Sequence, residues 1–581
     1  MWRALLVILS AGLQIVIFPM HGPLPMWRSW LAWIALVPLL LAILNPDREG
    51  RAVSPLRAAL FGYLCGVLFY AGNCYWIYQT MYLYGGMGKP FALLLLLLFS
   101  LYLGLYHALF GWLLRISAGR EGKRIGLALL AAPFLWVAVE LARARITSFP
   151  WDQLGMSQIE HPWLTAVAPW AGVYGISFVL AVGCASVAGW FLVVRWRTQT
   201  WSRWRKYVLV SVILIVIALP VSLKNWSGIV YIHTFFIGDE SSTYFRQHNA
   251  VLLQPNSDLD DDSSWVGDGY GNKMRRYAEL SAKPPHSTEL STDAHGSPDP
   301  IGIILWPESP APLFGEDLRF QAAAADLAKK TGASLIVGNV GRGIDPTTGQ
   351  AAVYNSASFF TAQGQPAGHY DKMHLVPFGE YVPFKALFGF AGGLTQNVGN
   401  MAPGRERVMF RTGGHTYGVF ICYESIFADE VRLLAKNGAD VLVNISDDGW
   451  YGDTSAPWQH LNMARMRAIE NHRWLLRDTN TGITAAIDPA GIFVSAPRHT
   501  QTAIQVWFDF NSDTTFYTRH GDWFAWLCCT VAILVLGISR RSSRGTGLQA
   551  GDLRLEKQRA LAPVRPEPFR HRIKAPPSLP T

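Results

Sequence analysis

The chain has 581 residues, half of them hydrophobic, 13% aromatic and only 16% charged, which is too apolar for a wholly soluble protein of this length. Its formal net charge of +9 does not argue for nucleic acid. The basic residues gather in loops between apolar runs, where they report membrane topology and contact with anionic lipid.

A hydrocarbon core about 30 Å thick takes roughly 20 apolar residues of helix. Eight spans are predicted, at 4–20, 29–45, 57–78, 91–114, 126–142, 174–194, 207–223 and 523–539. The first is short and stops at Pro19, so a cleaved signal peptide is the alternative there, although no small-x-small cleavage site is evident. Residues 163–172 are read as an interfacial segment, because a further span would invert every later loop. Cytoplasmic loops collect Lys and Arg. Arg48, Arg51 and Arg57 follow the second span; Arg115, Arg120, Lys123 and Arg124 the fourth; Arg195, Arg197, Arg203, Arg205 and Lys206 the sixth. Arg143 and Arg145 beside the fifth break this pattern, and Arg540, Arg541 and Arg544 place the C-terminus inside. The division is therefore 1–224, a bundle of about seven spans; 225–521, an outward-facing polar domain, periplasmic in a bacterium; 522–540, a last span; and 541–581, a disordered basic cytoplasmic tail.

The polar block alternates strands with helices. Apolar, β-branched runs at 250–254, Ile301–Leu305, Ser334–Val340, Val419–Ile421 and Val441–Ile445 predict strands, and helices are predicted near Asp317–Lys330, Phe427–Lys436 and Trp458–Arg477. Strands this continuously apolar belong to sheets buried on both faces, so the expected fold is an α/β sandwich. Residues 283–300, rich in Pro, Ser, Asp and His, are expected to be a disordered insertion. No internal repeat, P-loop, dinucleotide fingerprint or CxxC pair is present.

Cys65, Cys74, Cys184, Cys528 and Cys529 lie in or beside apolar runs, where a cysteine is a small packing residue. Cys422 stands alone in the polar block, so it is either buried and inert or kept for its reactivity. Three segments begin where strands end: Leu305-Trp306-Pro307-Glu308-Ser309-Pro310, Tyr370-Asp371-Lys372-Met373-His374-Leu375-Val376-Pro377-Phe378-Gly379-Glu380, and Ile421-Cys422-Tyr423-Glu424-Ser425. They bring a carboxylate, an ammonium and a thiol to one sheet edge, where α/β folds place their sites. Taken singly, each also has an ordinary reading as a solvated Glu, a surface Lys and a packed Cys.

The order Glu, Lys, Cys resembles the nitrilase superfamily, and the words WPES, YDKMHLVPFGEYVP and ICYE are similar to its apolipoprotein N-acyltransferase family. So is the downstream stretch Asn444 to Asp453 followed by Pro457-Trp458-Gln459-His460. Asp447 departs from it, the family often carrying Asn there, and this difference is not expected to touch the reaction. The resemblance implies an αββα nitrilase-like domain on a multi-span helical bundle in the bacterial inner membrane. It implies Glu308, Lys372 and Cys422 as the catalytic set, with Glu380, Tyr423 and Glu424 in support. Trp265 is similar in position to a family tryptophan, and Trp450 joins it as a substrate-binding candidate. The implied reaction takes an acyl chain from a phospholipid, phosphatidylethanolamine being the expected donor, onto Cys422 as a thioester. It then passes that chain to the α-amino group of a diacylated apolipoprotein, with no metal or organic cofactor and with the chain acting as a monomer.

In such a reaction the thiolate attacks, and a free cysteine is mostly protonated at neutral pH. Lys372 is expected to favour the charged sulfur, Glu308 to move the proton, and Lys372 with a backbone N–H near Cys422 or Tyr423 to stabilise the oxyanion. Pro383 to Gly393 places Phe384, Phe388 and Phe390 in a glycine-flanked loop, expected to be a lid at the outer leaflet; packing on the domain's own core is the alternative. Two other functions share parts of the pattern: a membrane-anchored amidase acting on small amides, and a transporter, which His107 and Glu140 inside the spans support weakly.

Overall fold

The computed structural model describes residues 1–119, 121–196, 248–257, 268–287, 301–308, 314–345, 347, 349–381 and 401–539. The expected span 207–223, residues 288–300 of the expected insertion and the tail from 541 lie outside them.

Among the described residues, five helices are long and apolar enough to cross a membrane: Met26–Leu44, Pro55–Asn73, Lys89–Ser117, Ile125–Ile146 and Ala168–Leu192. The eight expected from apolar runs are not all of that kind, since Trp2–Val16 and Trp523–Ser539 are shorter helices. The first helix stops at Val16, three residues before Pro19. One face of it is built into the bundle, with Val7, Ser10, Ala11 and Gln14 buried, and Ser10 Oγ donates to the Ala35 carbonyl at 2.6 Å. Pro55–Asn73 begins at Ser54, whose hydroxyl accepts from the Arg57 amide, with Pro55 in the first turn. This helix packs on Lys89–Ser117 through small residues. A Cβ at Gly62 would lie 2.1 Å from the His107 carbonyl oxygen, and one at Gly111 would lie 2.4 Å from that of Ala58, so only glycine permits this backbone approach. The expected boundary near residue 172 is a break in the helix at Gly172, with φ 64°.

The polar block folds into two sheets. Among the described residues, thirteen strands are β1 His248–Gln254, β2 His286–Ser287, β3 Ile303–Trp306, β4 Ser334–Ile344, β5 Ala351–Phe360, β6 Pro366–Asp371, β7 Met409–Thr412, β8 His415–Ile421, β9 Val441–Ser446, β10 Leu475–Thr479, β11 Ala485–Ile487, β12 Phe493–Ser495 and β13 Thr502–Phe508. One sheet has the order β2-β13-β1-β3-β4-β5-β6 and the other β12-β11-β10-β9-β8-β7. Alternate residues of each central strand point to opposite sides. Ala250, Leu252, Ile303 and Leu305 meet Val419, Ile421, Val443 and Ile445 between the sheets. Val251, Leu253, Ile304 and Trp306 pack under the helices Asp268–Ala282 and Leu318–Thr331. Phe420, Leu442 and Leu475 pack under Ala428–Lys436 and Ala456–Asn471. The result is an αββα sandwich whose central strands are apolar on both faces.

One predicted helix is corrected. Trp458–Arg477 was expected to be continuous, whereas the helix is Ala456–Asn471, ends on His472 at φ 54°, and is followed by β10. The cause is unusual burial: Gln459, His460, Asn462, Arg465, Arg467, Glu470 and Asn471 are all buried, so this helix has no polar face to mark its period or its end. It lies between the second sheet and the bundle. Trp151 Nε1 donates to Gln459 Oε1 at 2.9 Å, the Val173 amide donates to Glu470 Oε1 at 3.0 Å, and Arg465 pairs with Glu160.

Candidate active site

Glu308, Lys372 and Cys422 each follow the C-terminal end of a strand, β3, β6 and β8, and the sandwich brings them into one buried cluster. Lys372 is 1% exposed, Glu308 7% and Cys422 4%. Lys372 Nζ lies 2.9 Å from Glu308 Oε1 and 3.0 Å from Glu380 Oε1. Burial opposes the ammonium, but the charges of Glu308, Glu380 and Cys422 outweigh it and hold Lys372 well above its ordinary value. Glu308 Oε2 accepts the Asp447 amide at 2.8 Å, so the residue that departs from the family word acts here through its backbone. Glu380 Oε2 accepts the Val376 amide at 2.7 Å.

Cys422 sits at φ 51°, a left-handed conformation that strains a residue carrying a Cβ. It opens the 3-10 turn Cys422–Ile426. Burial pushes its thiol well above the ordinary range and Glu308 adds to this, while Lys372 pulls the other way. Burial thus opposes the charged sulfur that Lys372 is expected to favour.

Glu424 does not touch the lysine. Its carboxylate accepts from the amides of Ile421 at 2.6 Å, Met373 at 2.7 Å and His374 at 3.1 Å, and from the Tyr370 hydroxyl at 2.8 Å. It staples the loop after Lys372 to the turn of Cys422. Tyr423 packs edge-on to Phe427 with ring centroids 5.4 Å apart, and its hydroxyl is 3.5 Å from the Ser148 carbonyl oxygen in the bundle. Trp450 is 43% exposed and meets the ring of Tyr84 edge-on. Trp265, Phe388 and Phe390 lie outside the described residues.

Asn355 was missed. Its Nδ2 lies 2.6 Å from both Glu308 Oε1 and Glu380 Oε1, and its carbonyl accepts the Lys372 amide at 2.8 Å. It lies in β5, a strand not recognised in the sequence, where Asn355, Ser356 and Ser358 break up the apolar residues and blur the strand pattern. Among the described residues, no group of three or more His, Cys, Asp or Glu side chains could hold a metal ion.

Two family models match the chain, the apolipoprotein N-acyltransferase N-terminal domain over residues 10–186 and the carbon-nitrogen hydrolase over 275–512. A protein of Geobacter metallireducens named apolipoprotein N-acyltransferase is 33% identical, over 92% of this chain and 95% of its own. The chain belongs to the apolipoprotein N-acyltransferase family. A second member, from Methylococcus capsulatus, is 31% identical over 94% of this chain and 99% of its own. Saccharomyces cerevisiae Nit3, a member of branch 10 of the nitrilase superfamily, matches 45% of this chain and 90% of its own at 17% identity, with a TM-score of 0.33. Membership of the apolipoprotein N-acyltransferase family covers both the bundle and the sandwich.

Proposed function

We propose that this protein N-acylates apolipoproteins, taking a fatty acyl chain from a phospholipid through a thioester on Cys422. The observation that carries the reading is a thiol beside a buried ammonium flanked by two carboxylates, in a chain whose curated relatives carry that activity as their name.

In the first half-reaction Glu308 takes the Cys422 proton as the sulfur attacks the acyl ester carbonyl. Negative charge then develops on the carbonyl oxygen, where the Lys372 ammonium and the Tyr423 N–H stabilise it; one such donor is worth about 3 kcal/mol, on the order of a hundredfold in rate. The carbon–oxygen ester bond breaks, Glu308 returns the proton to the departing alkoxide, and lysophospholipid leaves. In the second half the α-amino group of the diacylglyceryl-cysteine attacks the thioester, Glu308 takes its proton, and the sulfur leaves to be reprotonated. Glu380 and Asn355 hold Lys372 and Glu308 in place through both halves. One residue carries the acyl group, so the exchange is ping-pong.

The bundle supplies the substrates. Leu60, Leu64, Leu93, Leu97, Ile533 and Leu534 are exposed, an apolar surface that water would penalise and acyl chains would cover. The bundle is therefore read as lying in the inner membrane with the sandwich on the periplasmic side and the C-terminus in the cytoplasm, as the loop charges imply. Phosphatidylethanolamine is the proposed donor, and the enzyme acts as a monomer. The test is protein in vesicles given a diacylated lipopeptide or small water-soluble amides. Acylated lipopeptide supports the reading, and turnover of the amides alone refutes it.

A further inference from the structure

A second buried polar cluster, unused by the chemistry above, sits against the nucleophile turn. His460, Asp448, Arg477 and Asn444 are each no more than 1% exposed. They come from one helix, the loop after β9, β10 and β9 itself. His460 Nε2 lies 3.1 Å from the Cys422 carbonyl oxygen. Its Nδ1 lies 3.0 Å from Arg477 Nη2 and 2.8 Å from Asp448 Oδ1. Arg477 Nη2 also donates to Asp448 Oδ2 at 2.7 Å, and Ser446 Oγ donates to Asp448 Oδ1 at 3.0 Å. The indole of Trp151 lies nearly parallel to the imidazole, 5.9 Å away between centroids.

These contacts assign the ring. The Cys422 carbonyl oxygen can only accept a hydrogen bond, so the ring carries a proton on Nε2, facing it. Burial and the Arg477 charge lower His460 from its ordinary value, against Asp448 and the Cys422 carbonyl, which pull it up.

The carbonyl it meets matters. A trans peptide is planar, with C=O and N–H pointing to opposite sides, so a donor that fixes the Cys422 carbonyl also fixes the direction of the Tyr423 N–H. A donor on the carbonyl also polarises the amide, making its N–H a stronger donor in turn. Because Cys422 is at φ 51°, the turn is strained, and this peptide plane needs an external restraint to keep its angle. We propose that His460 is a positioning residue for the oxyanion hole: its Nε2–H grips the Cys422 carbonyl and so aims and polarises the Tyr423 N–H at the negative oxygen of the tetrahedral intermediate. The proposal rests on the acyl-transfer reading given above.

The test compares two reactions of the same sulfur in the full-length protein in vesicles. Alkylation of Cys422 by iodoacetamide develops no oxyanion, whereas acylation by phospholipid does. His460→Leu should slow acylation about 100-fold, the cost of one oxyanion donor, with the lipid concentration for half-maximal rate unchanged and alkylation within about threefold of the unsubstituted enzyme. His460→Gln, which keeps an N–H, should recover at least a tenth of the original acylation rate. Equal losses in acylation and alkylation, or no loss of acylation, overturn the proposal. Should His460→Leu not fold, His460→Phe, which likewise offers the carbonyl no donor, is read by the same rule: a loss confined to acylation supports it, and a shared loss or none overturns it. If the unsubstituted protein forms no acyl adduct, the acyl-transfer reading itself has failed.

Discussion

Glu308 carries opposed demands: it must accept the thiol proton, yet its charge helps keep that proton on the sulfur. Glu308→Gln should therefore separate two rates. Acyl transfer should fall by 10²–10⁴-fold, roughly the worth of a general acid/base. Alkylation of Cys422 by iodoacetamide at neutral pH should rise, because removing the carboxylate takes away a charge that raises the thiol's pKa while Lys372 still lowers it. A fall in both rates would show that Glu308 does not hold the thiol neutral. Asn355→Ala leaves Glu308 Oε1 and Glu380 Oε1 each short of a donor in a buried site, and kcat should drop roughly tenfold to a hundredfold, since an unsatisfied buried partner costs about 1–3 kcal/mol. The difference between these two residues is also one of legibility. Glu308, Lys372 and Cys422 could be found in the sequence because each closes a strand inside a recognisable word. Asn355 could not, because nothing local distinguishes an asparagine that spans two carboxylates from one that pairs with water.

At the scale of the element, the long apolar strands of the sheet centres were readable, because burial on both faces leaves them few polar residues. The short strands β7, β11 and β12 were not, as three or four residues carry too little pattern. Helix Ala456–Asn471 was readable only in part, since its polar residues face the bundle and the sheet and none of them advertises solvent. That packing has a pH signature. Burial raises Glu470 from its ordinary 4.5 to about 7, with the Arg467 charge and the Val173 amide pulling the other way. A raised carboxyl favours the folded state at low pH, so its stabilisation is present below about 4.5 and lost as pH rises through about 7. The unfolding temperature should accordingly fall between about pH 5 and pH 8, and Glu470→Gln should fall less over the same window. Equal slopes would mean that Glu470 is ionised throughout.

For the whole molecule, the apolar runs pointed to a helical bundle carrying a polar domain, but the number of membrane-length helices could not be counted from hydropathy alone. The run ending at Pro19 has span-like composition and folds as a helix that ends at Val16. The joint between the bundle and the sandwich was also invisible, since Arg145 meets Asp429 and Asp522 across hundreds of residues. The proposed lid belongs to this scale as well. Phe388→Asp with Phe390→Asp should slow acylation by phospholipid at least tenfold while leaving iodoacetamide alkylation of Cys422 unchanged; unaltered kinetics would remove the lid. The central claim is a sulfur that carries a fatty chain between two lipids. Mass spectrometry of the peptide bearing Cys422, after incubation with phospholipid alone, tests it most directly. A fatty acyl adduct that hydroxylamine removes and diacylated lipopeptide discharges is the expected result; an unmodified Cys422 in enzyme that still acylates lipopeptide would contradict it.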